Sequence, residues 1–162
     1  MDKKIVTRDR IRQLADQYRS SGKTIVFTNG CFDIIHAGHV SYLARAKQCG
    51  DVLVLGLNSD ASVRGIKGDK RPVIHEAQRV CVAAALAVVD HVVLFDEPDP
   101  ENLIHAVIPD VLVKGADWPE DQIVGGDFVK ANGGRVERIA FEQDISTTGI
   151  IRRVGQLYYD AD

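Results

Sequence analysis

Apolar residues recur along this 162-residue chain at two kinds of interval, one helical and one strand-like. Over residues 8–20, Ile11, Leu14, Ala15 and Tyr18 fall at helical spacing, which predicts an amphipathic opening helix. KTIVFTNG carries the run Ile25, Val26 and Phe27 and reads as a strand. DVLVLGLNS is apolar nearly throughout, as strands covered on both faces tend to be. Between them, HVSYLARAKQCG predicts a helix with Val40, Leu43, Ala44 and Lys47 on one side and Gly50 as its stop. The alternation continues with HEAQRVCVAAALAVV as a helix, HVVLF as a strand and DPENLIHAVI as a short helix with Pro100 near its first turn. PDVLVK and RVERIAF read as further strands. STTGIIRRVGQLYY closes as a helix with Ile150, Ile151, Val154 and Tyr158 aligned. Two stretches lack a clear period. DASVRGIKGDKRP is polar with an undefined end, and GADWPEDQIVGGDF reads as a long loop, hence a candidate for function.

Five strands alternating with helices imply βαβ units and a parallel sheet. No repeat, low-complexity tract or linker divides the chain, so residues 1–162 are expected to form a single domain. In open parallel sheets, ligands bind beyond the carboxyl ends of the strands.

Composition narrows the function classes. With 45% hydrophobic and 27% charged residues the chain reads as globular, and its net charge of −3 lacks the basic footprint of a nucleic-acid binder. A local basic pocket for a small anion remains compatible with that charge. Cys31, Cys49 and Cys81 are odd in number and form no CxxC, which argues against a disulfide framework or zinc ribbon and fits a reducing cytosol. No apolar leader or membrane-length run is evident, so a soluble cytoplasmic protein without membrane or nucleic-acid partners is expected.

The densest chemistry lies in TNGCFDIIHAGHV, residues 28–40, where a strand hands over to a helix. Unpaired N–H groups at a helix start carry partial positive charge and suit phosphate. Gly30 and Gly38 let an anion approach the backbone, and His36 and His39, one turn apart, can both donate to its oxygens. Neither GxxxxGK[ST] nor GxGxxG is present, so this is not a P-loop or a dinucleotide fingerprint. Two other readings stand beside this one: histidines satisfied near a helix cap, or Asp33, His36 and His39 as metal ligands.

Three further segments carry candidate chemistry. Lys67, Lys70, Arg71 and Arg79 put four cations in thirteen residues, either a solvated loop or a phosphate-binding one. Ser146, Thr147 and Thr148 open the last helix, where one hydroxyl is an ordinary cap and three exceed a cap's needs. VKGADW places Lys114, Gly115, Asp117 and Trp118 after a strand, with Asp117 suited to a ribose or to helping hold Mg²⁺. His75, His91 and His105 have no partner motif and read as structural or surface residues.

TNGCFDIIHAGHVSYL resembles the signature of the HxGH nucleotidyltransferase superfamily. LNSDASVRGIKGDKRPVIHEAQR, DVLVKGADW and ISTTGIIRRV make the chain similar to the heptose 1-phosphate adenylyltransferase family within it, from about residue 24 to about residue 154. The resemblance implies a Rossmann-like, doubly wound, parallel five-stranded sheet, with residues 23–155 as catalytic core and 1–22 as a helical extension. It implies transfer of AMP from ATP, with Mg²⁺, to D-glycero-β-D-manno-heptose 1-phosphate, giving ADP-heptose for lipopolysaccharide core synthesis and releasing pyrophosphate. His36 and His39 would contact the phosphates, with Lys67 and Arg71 in catalysis. Thr28, Asn29, Gly30, Cys31, Phe32, Gly38, Lys114, Gly115, Asp117, Trp118, Ser146, Thr147 and Thr148 would lie on the nucleotide side. Asp33, Asn58, Lys67, Arg71 and Arg79 would lie on the acceptor side, Arg79 by pairing with an acid that orients the site. No resident metal-ligand set is implied. A homo-oligomer is expected, as is a separate heptose 7-phosphate kinase. The competing readings are a glycerol-3-phosphate cytidylyltransferase or other member of the superfamily, a non-catalytic nucleotide-binding regulator, and a metal-dependent hydrolase.

Overall fold

The computed structural model describes residues 2–140 and 145–159. Thr7 opens the first helix, α1 (Arg8–Ser20), its Oγ1 accepting from the Arg10 N–H at 3.2 Å. There follow β1 (Ile25–Gly30), α2 (Ala37–Lys47), β2 (Val52–Asn58), α3 (Asp60–Lys67) and α4 (Glu76–Ala85). The second half runs β3 (His91–Phe95), α5 (Glu101–Val107), β4 (Val111–Gly115), α6 (Gly126–Ala131), β5 (Arg135–Ile139) and α7 (Thr147–Tyr158). The five expected strands all form; Phe141, the last residue of the fifth expected one, lies outside the described residues.

The strands lie in the order β3-β2-β1-β4-β5 and every pairing is parallel. The chain steps outward from β1 to β3, then returns to the other side of β1, so the order reverses between β1 and β4. That reversal opens a crevice at the carboxyl ends. Pairing of β1 with β2 runs from Ile25 to Gly30, whereas β1 and β4 are in register only at Val26–Val111 and Phe27–Leu112.

Two apolar layers sandwich the sheet. Val26, Leu53, Leu55, Leu57, Val111 and Val113 face Tyr42, Leu43 and Ala46 of α2 and Val80, Ala83 and Ala84 of α4. Ile25, Phe27, Val54 and Leu112 face α1, α5 and α6 through Ile11, Leu103, Ile104, Val107 and Val129. Each fully buried Val, Leu, Ile or Phe side chain among them contributes about 1.5–3 kcal/mol, which holds the helices on both faces. The opening helix therefore belongs to the core, since Ile11 is fully buried.

Several local expectations change. In α2 the inward residues are Tyr42, Leu43 and Ala46, while Val40 is 40% exposed, so the buried stripe is rotated from the one expected. Gly50 does not end that helix; it lies beyond the Gln48 cap, where a Cβ would meet Thr24 and Val26 side chains at 2.8 Å. DASVRGIK is the helix α3, capped by the Ser59 hydroxyl accepting from Ser62 N–H and ended by Gly68 at φ 88°. The expected long loop contains a short 3-10 turn, Glu120–Gln122, and the start of α6, which Gly125 enters at φ 78°. The α7 helix forms as expected but buries none of its residues. None of the three cysteines is in a disulfide, and no helix among the described residues is long and apolar enough to cross a membrane.

Candidate active site

The loop leaving β1 is held under strain by a buried carboxylate. Phe32 and Ile34 sit at φ 47° and 51°, a left-handed conformation unfavourable for these side chains. Asp33 between them is 1% exposed. It accepts from the Arg71 Nε at 2.7 Å and from the backbone N–H groups of Val73 and Ile74, both at 2.9 Å. Burial alone would raise the Asp33 pKa, but those two N–H groups and the guanidinium together hold it below the usual carboxylate value. Asp33 thus fastens the β1–α2 loop to the segment before α4, and Arg71 spends charge on it.

Beneath this loop lies Arg79, 1% exposed. Its Nε donates to the Ile74 carbonyl and its Nη1 to the carbonyls of Cys31 and Asn58. Its Nη2 donates to Asp60 at 2.8 Å, and Asp60 also accepts from the Glu76 N–H and lies 2.8 Å from His75 Nδ1. Arg79 therefore pairs with an acid, as the resemblance implied, but from behind the site. It does not line the cleft.

The loop delivers His36 and His39 to the start of α2. His36 is the N-cap residue and gives no side-chain cap bond. The two imidazoles stack with centroids 3.8 Å apart, and Phe32 packs on His39 at 5.1 Å. A Cβ on Gly38 would come within 3.1 Å of the His36 ring, so glycine there makes room for the imidazole. The Nδ1 atoms of both rings are buried without a hydrogen-bond partner among the described residues. Burial lowers the His36 pKa, and burial plus the neighbouring His36 lowers that of His39 to about 4. Two stacked neutral imidazoles beside the helix-start N–H groups form a donor set suited to an anion.

A second helix start faces the first. Ser146 caps α7 by accepting from the Gly149 N–H at 3.1 Å, and the Thr147 hydroxyl donates to the Asp33 carbonyl at 2.6 Å. The hydroxyl-rich turn is thereby anchored to the histidine loop.

These walls enclose a cleft of about 640 Å³ at the β1–β4 reversal. Asn29, Gly30, Cys31, Phe32, Asp33, His36, His39 and Asn58 line it, as do Lys67 and Arg71. Lys114, Gly115, Asp117, Trp118, Ser146, Thr147 and Thr148 complete the predicted lining. Thr28 and Gly38 do not line it. Thr28 is fully buried, with its hydroxyl 2.8 Å from the Tyr42 hydroxyl. Tyr42, Pro98, Asp99, Pro100 and Gln122 also line the cleft and were not anticipated. Pro98–Pro100 follow the carboxyl end of β3, so the strand-end rule already contained the signal. Among the described residues, no group of three His, Cys, Asp or Glu could hold a metal ion.

Residues 27–153 match the family model for cytidylyltransferase-like proteins. The chain belongs to the cytidylyltransferase-like family. Within this family it is 52% identical to the bifunctional protein HldE of Geobacter metallireducens, over 97% of this chain and 32% of that protein. The chain spans about a third of the length of the curated relatives it matches. The crystal structure of the lipopolysaccharide core biosynthesis protein from Thermoplasma volcanium GSS1 is 30% identical with a TM-score of 0.63, covering 76% of this chain and all of that one. Pantoate-beta-alanine ligase from Francisella tularensis, solved with beta-gamma ATP and beta-alanine, is 16% identical with a TM-score of 0.58 over 90% of this chain and 69% of that one. At that identity it shares the fold alone, a Rossmann-like α/β arrangement that this member of the family also has.

Proposed function

We propose that this cleft transfers AMP from ATP to the phosphate of D-glycero-β-D-manno-heptose 1-phosphate, giving ADP-heptose and pyrophosphate. The observation that carries it is the stacked His36–His39 pair at the α2 start, tied through Thr147 and Asp33 to the α7 start. Two helix N-termini converging on one cleft suit a polyanion such as a triphosphate. Similarity to the HldE proteins favours the heptose acceptor and ADP-heptose synthesis for lipopolysaccharide.

In the reaction, an oxygen of the acceptor phosphate attacks the α-phosphorus. The bond from that phosphorus to the β-phosphate bridging oxygen breaks, and pyrophosphate leaves with its electron pair. The nucleophile is already anionic, so neither a general base nor a covalent enzyme intermediate is required. Catalysis rests on alignment and on neutralising charge as it develops. His36 and His39 donate to the α-phosphate oxygens, while the α7 start and its hydroxyls hold the β- and γ-phosphates. Trp118, 52% exposed on the cleft wall, offers a face to the nucleoside. Lys67, at the exposed end of α3, adds positive charge. Mg²⁺, carried on the triphosphate, would supply further neutralisation.

The reading places a kinase reaction upstream, whether on the same polypeptide or a separate one, and the cytoplasm is where ATP would meet the acceptor. The test is pyrophosphate release with ATP, CTP and GTP against heptose 1-phosphate and glycerol 3-phosphate. Release with ATP and heptose 1-phosphate alone is expected. Preference for CTP and glycerol 3-phosphate would replace the reading by a cytidylyltransferase, and nucleotide binding without release by a regulator.

A further inference from the structure

The Lys114 ammonium is the enclosed cation that the phosphate-binding scheme above leaves unused. It stands one residue from the end of β4 and donates to Asn29 Oδ1 on β1 across the unregistered part of the β1–β4 pair. No carboxylate among the described residues pairs with it. Desolvation is the cause that lowers its pKa, to about 8. The other enclosed cations are compensated, Arg71 by Asp33 and Arg79 by Asp60. A desolvated ammonium bonded only to a neutral amide is costly unless an anion arrives to pair with it.

Strand parity places this cation. Side chains two residues apart on a strand share a face. Asn29 is in step with Ile25 and Phe27, and Lys114 with Leu112, all of which pack toward α1 and α5. Asn58 is likewise in step with Val54 on β2. His39 stands over Phe32, which packs with α2 on the opposite face. The cleft thus has two anion-attracting lobes on either side of the sheet edge. In-line displacement needs the nucleophile and the leaving pyrophosphate on opposite sides of the α-phosphorus.

We propose that the α5-side lobe is the acceptor subsite, with Lys114, oriented by Asn29, binding the phosphate of a polyhydroxylated phosphomonoester. Gln122 lines the same cleft and offers its amide to the hydroxyl groups, and Asn58, whose Nδ2 donates to Ser62 Oγ at 3.0 Å, leaves its Oδ1 to accept from one. This rests on the nucleotidyl-transfer reading and moves Lys114 and Asn29 from the nucleotide side to the acceptor side.

The test uses wild type, K114M and K114R, each saturated with the α,β-methylene analogue of ATP and titrated with inorganic phosphate by calorimetry. Wild type is expected to bind phosphate, and K114M to bind it at least about 30-fold more weakly, the lower end for truncating one partner of a buried charge pair. K114R should recover most of the affinity, and all three should bind the analogue alike. With heptose 1-phosphate, K114M should raise the acceptor KM while leaving the ATP KM unchanged. Equal phosphate binding by wild type and K114M, no binding by wild type, or a loss confined to the nucleotide analogue would overturn the assignment. K114Q serves in place of K114M if the methionine variant does not fold. Absence of turnover with heptose 1-phosphate would sink the proposed reaction, while the phosphate titration would still decide the subsite.

Discussion

His36 and His39 hold their rings neutral and face to face, at the cost of two buried ring nitrogens without partners among the described residues. Removing a well-placed donor from such a site typically lowers the rate by about 10²–10³, or about 3–4 kcal/mol. His36→Ala and His39→Ala should each lose kcat by that order with an unchanged circular-dichroism spectrum; near-normal turnover would remove them from the chemistry. The lowered His39 pKa also shapes stability. Between about 4 and the ordinary 6.5 the unfolded chain binds more protons than the folded one, so stability rises with pH across that window. The urea midpoint should fall as pH drops from 6.5 to 4, and less so in His39→Asn. Arg79 behaves differently. Arg79→Met leaves Asp60 buried without its guanidinium and should cost about 3–5 kcal/mol, read as a lowered urea midpoint. A stable variant that failed only in acceptor binding would restore it to the cleft wall. The two histidines were legible because glycine spacing on a strand-to-helix turn is a local pattern. Arg79's burial was not, because a run of cations looks the same in sequence whether it is solvated or enclosed.

Short elements were the least legible. The α3 helix buries only Asp60, Ser62 and Val63, too few apolar positions in eight residues to set a period. Likewise α6 spans six residues and depends on Gly125 for its entry. In α2 the helix was evident, but its inward face was not, since alanines and Tyr42 occur on several sides and only tertiary packing chooses among them. The α7 start also acts as a tether, because its Thr147 hydroxyl ties the ISTT turn to the histidine loop. Thr147→Val keeps the shape and removes that bond, worth about 0.5–1.5 kcal/mol. Nucleotide KM should rise by about two- to tenfold with stability retained. An unchanged KM would mean that the two helix starts need no tie to act together.

At the scale of the whole molecule, the alternation of strand and helix periods was enough to anticipate a five-stranded parallel sheet, because that signal is spread over the entire chain. The position of the candidate site is the one the strand-end rule expects, since the histidine loop, the Lys114 strand end and the polar turn after β3 all lie at carboxyl ends. The division of the cleft between two faces could not be read in the same way. Strand register and the reversal between β1 and β4 decide which side chains share a lobe, and neither is visible in linear order. The central claim is direct attack of the acceptor phosphate on the α-phosphorus, and an isotope measurement tests it most directly. Heptose 1-phosphate carrying ¹⁸O in its non-bridging phosphoryl oxygens is incubated with ATP and the enzyme, and the products are read by ³¹P NMR. Direct attack predicts ADP-heptose with ¹⁸O in the bridge between the two phosphorus atoms, shifting both resonances, and unlabelled pyrophosphate. Label in the pyrophosphate, or a bridge containing only ¹⁶O, would contradict it.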